Sequence, residues 1–99
     1  MILVRDVFRL KFGRAKEAKA LLKEGAQIAK RVGWGPQRHL MDLTGPYYTL
    51  VLESTHESLS SWEQGMQNAV GQREWSAWYE KFKPLIESGY REIFTIVNP

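Results

Sequence analysis

Hydrophobic and polar positions change period several times along the chain, and each change marks an element. Residues 2 to 12 alternate. Ile2, Val4, Asp6, Phe8, Leu10 and Phe12 share one face; Leu3, Arg5, Val7, Arg9 and Lys11 share the other. That is the period of a β-strand. Gly13 breaks it, and from Arg14 to Val32 the period becomes helical, with Ala18, Leu21, Leu22, Gly25, Ala29 and Val32 on one side. Gly25 costs a helix about 1 kcal/mol relative to Ala, so a neighbour packed closely on its backbone is expected. Gly33 stands where a C-terminal cap belongs, and Gly35-Pro36 ends the connection. Strands are predicted over 37–43 and 47–54, and their short joint, Thr44-Gly45-Pro46, makes them an antiparallel hairpin.

The second half is dominated by aromatic residues. A helix starts at Ser58 or Ser60, where Ser60 and Glu63 fit a capping box. Leu59, Trp62, Met66, Ala69 and Val70 follow at helical spacing, and Gly71 interrupts. From Arg73 to Ser88, Trp75, Trp78, Tyr79, Phe82, Leu85 and Ile86 form one wide apolar stripe, with Glu74, Glu80, Lys81 and Lys83 opposite. Pro84 lacks an N–H, so it kinks this helix or begins a new first turn. Gly89 is expected to end the helix. Residues 90–97 form the last strand, with Tyr90, Glu92, Phe94 and Ile96 against Arg91, Ile93, Thr95 and Val97.

The order β-α-β-β-α-β implies an α+β, ferredoxin-like domain spanning residues 1–99, with a four-stranded antiparallel sheet and its helices on one face. The other face is left bare. Val7, Ile93 and Val97, with Tyr47 or Val51, are expected there among Arg5, Arg9, Arg91 and Thr95. Such a face suits packing against the sheet of a second copy.

Composition narrows the function. Ninety-nine residues that are 43% hydrophobic make one domain with a small core. There is no cysteine, hence no disulfide or thiolate chemistry. No apolar run approaches the roughly 20 residues of a membrane span, and the start MILVRDV lacks a signal-peptide shape. A cytoplasmic protein without membrane contact is expected. The net charge of +3 comes from basic residues spread along the first helix and broken by Glu17 and Glu24, which reads as solvated surface. Neither a nucleic acid partner nor a phosphate loop, nucleophile motif or metal cluster is indicated. The strand order is shared with RNA-recognition domains, but the Lys/Arg-Gly-aromatic pattern of those domains is missing.

The chain resembles dimeric α+β barrel proteins, the group that holds the NIPSNAP and antibiotic-biosynthesis monooxygenase-like domains. The resemblance rests on Lys11-Phe12-Gly13 after the first strand, the long first helix and the hairpin with Gly45. It continues through Glu53-Ser54 shortly before Trp62, and Trp75, Trp78, Phe82 and Pro84-Leu85. It covers nearly the whole chain. It implies a homodimer whose sheets close into a barrel, and a pocket in each protomer between the sheet and the second helical region. Some members oxygenate aromatic polyketides without a cofactor; others bind and degrade haem. The haem-binding members carry an Asn where this chain has Asp6 and a ligating His in a region, 58–88, that has none here. No cofactor is therefore expected.

Asp6 and His39 are the candidate catalytic residues. Asp6 lies on the face expected under the helices, where a carboxylate needs a partner or a raised pKa. His39 could pair with it as a base if their faces agree. A carboxylate held by an Arg and a structural His explain the same two residues without chemistry. His56 reads as an exposed loop residue. Asp6, Phe8, His39, Trp62, Met66, Trp75 and Tyr79 are the candidate ligand-binding residues, for a flat apolar molecule; Trp78 and Phe82 read as core. Two functions follow: a homodimeric small-ligand-binding barrel, or a cofactor-independent monooxygenase acting on an aromatic substrate.

Overall fold

The computed structural model describes all residues, Met1–Pro99. The elements are β1 (Ile2–Leu10), α1 (Ala15–Val32), β2 (Arg38–Met41), β3 (Thr49–His56), α2 (Leu59–Val70), α3 (Arg73–Phe82) and β4 (Ile86–Thr95), with a short 3-10 turn over Lys83–Leu85. The sheet is antiparallel in the order β2-β3-β1-β4. This is the α+β, ferredoxin-like arrangement, with the second helical region divided in two. No helix is long and apolar enough to cross a membrane.

One cluster joins the sheet to the helices. Leu10, Leu50 and Leu52 from the strands meet Ala18 and Ile28 of α1, Trp78 and Phe82 of α3, and Leu85. Phe82 meets Phe8 edge-on at 5.7 Å and stacks on Trp78 at 4.8 Å. The Trp78 indole lies on Gly25, as the expectation of close packing there required. A Cβ at Gly25 would stand 2.9 Å from the ring, and Trp78 Nε1 donates to the Leu21 carbonyl at 2.6 Å. Gly33 caps α1 with φ 74°, its N–H donating to the Ala29 carbonyl.

Several boundaries differ from the sequence expectation, each for a local reason. The aromatic helix ends at Phe82, not near Ser88. Pro84 cannot continue the hydrogen-bond ladder, and it sits at the start of the 3-10 turn that leads directly into β4. The strand therefore begins at Ile86, and a register shift between Arg9 and Leu10 absorbs the early entry. β3 begins at Thr49 because Tyr48 has φ 58°, a turn conformation. β2 is only four residues long. The cap of α2 is Ser58, not Ser60. Ser58 is extended, its hydroxyl accepts from the Ser61 N–H at 3.1 Å, and the Ser61 hydroxyl accepts from the Ser58 N–H at 3.1 Å. The capping box is thus Ser58 with Ser61 rather than Ser60 with Glu63.

The bare face also needs correction. Residues opposite each other on antiparallel strands share a face. Val7 stands between Val51 and Tyr90, and Arg5 between Glu53 and Glu92. The outer face of β4 therefore presents Tyr90, Glu92 and Phe94. Arg91, Ile93 and Thr95 point to the helix side, and Tyr47 and Val97 lie outside the strands.

Candidate functional site

One row of residues crosses the helix side of the sheet: His39 on β2, Leu52 on β3, Asp6 on β1 and Arg91 on β4. Asp6 and His39 do share a face, but a whole strand separates them. At about 4.8 Å per strand they are two spacings apart, too far for a hydrogen bond. The Asp6–His39 pair that a shared face would allow is therefore not formed. Asp6 is instead held by Arg91, whose Nε donates to Asp6 Oδ1 at 2.6 Å. The Arg91 guanidinium lies over the Trp62 ring, 4.9 Å from its centre.

The helices do not fill the space above this row. They leave a cavity of about 520 Å³. Asp6, Phe8 and His39 line it from the sheet; Trp62 and Met66 line it from α2, and Trp75 and Tyr79 from α3. All seven residues singled out in the sequence thus border one space. Trp75 and Tyr79 are stacked, with ring centres 4.9 Å apart and planes within 15°. Trp62 is buried; Tyr79 is 39% exposed. Trp78 and Phe82 touch the cavity from beneath but belong to the core.

Arg91 and Trp34 are among the lining residues that the sequence reading did not single out. Arg91 was expected on the outer face. Trp34, from the Gly-rich loop after α1, forms part of the wall. It packs so closely on α2 that a Cβ at Gly65 would stand 2.1 Å from its ring. The signal for Trp34 was present: a large apolar side chain inside a Gly-Trp-Gly-Pro turn has to be buried somewhere, and Gly65 inside a helix marks where.

The two histidines sit differently. His39 stands at the rim and makes no hydrogen bond to the protein; partial burial lowers its pKa from 6.5. His56 is the last residue of β3, not a loop residue. Its Nε2 and the Ser54 hydroxyl are 2.9 Å apart, its ring faces Trp34 at 6.1 Å, and burial lowers its pKa too. In both, burial favours the neutral imidazole.

No family model matches the chain and no curated relative is similar to it in sequence. Solved structures do share its architecture. A NIPSNAP family protein from Agrobacterium tumefaciens is 19% identical, covering 98% of this chain and 93% of that chain, with a TM-score of 0.91. A NIPSNAP domain protein from Burkholderia xenovorans is 14% identical, covering 98% and 95%, with a TM-score of 0.88. A protein of Caulobacter crescentus, provisionally assigned as an antibiotic biosynthesis monooxygenase, is 13% identical, covering 98% and 90%, with a TM-score of 0.75. At these identities the likeness establishes the fold: the chain has the architecture common to NIPSNAP and antibiotic biosynthesis monooxygenase-like proteins.

Proposed function

We propose that the protein is a homodimeric α+β barrel that binds a small aromatic molecule between its sheet and its second helical region. The carrying observation is the cavity. Its volume, about 520 Å³, lies in the range of small-molecule sites. Of its 25 lining residues 16 are hydrophobic, and the polar ones gather on the sheet floor. A plain core would close such a space, since unfilled volume forfeits contacts. The bare sheet face supports the dimer, because Tyr90 and Phe94 stand there 61% and 47% exposed. A cytoplasmic location belongs to the same proposal.

The test is a thermal-shift screen with flat aromatic compounds, followed through Trp75→Ala and Tyr79→Ala. Hits should raise the melting temperature of the native chain, and these variants should lose the response while keeping their own fold. Hits that act equally on both variants would place binding elsewhere.

One observation favours catalysis as a second reading: His39 is an unbonded imidazole at the rim whose neutral form burial favours, available as a base. With an aromatic substrate it would take a proton from an activated CH2. The carbanion would reduce O2, giving C=O and water, with all four electrons supplied by the substrate. Oxygen uptake with an aromatic ketone that carries such a CH2, if it survives His39→Ala, would remove this base. Asp6, already paired with Arg91, is the weaker candidate for that role.

A further inference from the structure

Deepening the pocket reading proposed above, on which it rests, we infer that the ligand carries an acceptor oxygen, and that Arg91 receives it. Arg91 and Asp6 are the only Arg, Lys, Asp or Glu residues that line the cavity. The guanidinium is fixed from two sides, by Asp6 on its Nε and by the Trp62 ring, whose centre lies 4.9 Å from its carbon. Its terminal nitrogens, Nη1 and Nη2, make no bond to the protein. They are the fork that recognises carboxylates and related oxygens in two parallel bonds.

The side chain is 44% exposed in the free protein, so water can serve those donors. A ligand that fills the cavity displaces that water. A hydrocarbon would leave Nη1 and Nη2 desolvated and without acceptors, which is costly. An aromatic molecule with a carboxylate or phenolate oxygen replaces the water and keeps its rings against Trp62 and the Trp75–Tyr79 stack. Asp6 does not compete for the fork, because it already holds Nε. It does set a limit, since its charge lies near the ligand's oxygen.

The test compares 2-naphthoate, naphthalene and 2-naphthylmethylammonium, read by NMR on the indole N–H signals. All four Trp residues line the cavity, so each probe reports directly. Naphthoate should bind the native chain at least ten times more tightly than naphthalene, a gap of about 1.4 kcal/mol. The ammonium compound should bind most weakly. Arg91→Met should shrink the naphthoate advantage below threefold, while Asp6→Asn, which keeps an acceptor for Nε but removes the charge, should tighten naphthoate. Equal binding of naphthoate and naphthalene by the native chain overturns the role of Arg91 and leaves the pocket standing. Failure of all three probes to bind overturns the pocket reading itself. The comparison on the native chain decides the matter even if a variant does not fold.

Discussion

Gly25 carries no side chain because the Trp78 indole occupies the space one would need. That contact, the hydrogen bond to the Leu21 carbonyl and the stack on Phe82 make Trp78 the pin between α1 and α3. Trp78→Ala should destabilise by about 3–5 kcal/mol in urea unfolding, since it opens a large cavity and removes the hydrogen bond that ties α3 to α1. Tyr79→Ala, one position on but 39% exposed, should cost far less. Similar losses for the two would mean that Trp78 is not the pin. The histidines give a second residue-scale expectation. Burial disfavours the charged form of both His39 and His56, so the folded state binds these protons more weakly than the unfolded chain. The unfolded chain binds more protons once the pH falls to about 6.5. Stability should therefore be full above that value and decline as pH drops through it towards the lowered folded pKa values. Melting temperatures at about pH 7.5 and about pH 5.5 read this. A His39→Gln, His56→Gln double variant should show a shallower decline, and an unchanged slope would assign the effect to other groups.

At the scale of elements, the cap of α2 is a sharp case, because Ser58, Ser60 and Ser61 all lie within reach of the helix start. Only Ser58 has extended backbone and accepts the Ser61 N–H. Ser58→Ala should cost about 1 kcal/mol and Ser60→Ala close to nothing, measured by chemical denaturation. The reverse order would move the start of the helix. The same ambiguity explains which parts of the fold were legible beforehand. β1 alternates strictly, so its faces, and with them Asp6 and Phe8, were readable. α1 announced its end through Gly33, and the aromatic stripe placed Trp75 and Tyr79 over the sheet. β4 was not readable in phase. It carries apolar residues on both faces, and its true start at Ile86 is hidden behind Pro84 and a register shift on β1. That error put Arg91 on the wrong side of the sheet and concealed its bond to Asp6. Trp34 was lost because loop residues follow no period.

For the whole molecule, the outer face of the sheet is the surface on which the proposed dimer rests. Leu40, Val51, Val7 and Tyr90 form one apolar row across all four strands, and Leu3 and Phe94 lie on the far side of a charged row. That charged row holds Arg38, Glu53, Arg5 and Glu92. Arg5 donates to Glu53 and to Glu92, each at 2.9 Å, and Arg38 approaches Glu53 at 3.3 Å. Two cations and two anions cancel, and each has a partner within its own chain. A second sheet can cover the row without burying an unpaired charge, which is the condition under which such burial is tolerable. The native chain should therefore sediment at twice its 11.5 kDa. Val7→Asp sets a carboxylate in the centre of the apolar row while touching none of the helix-side core. It should yield a folded particle at the single-chain mass, with native-like circular dichroism. Arg5→Met should act in the same direction, because it leaves Glu53 and Glu92 facing each other with one cation fewer. A native chain that stays single at high concentration, or a Val7→Asp chain that still pairs, would mean that the face stays wet and that the barrel does not form through it.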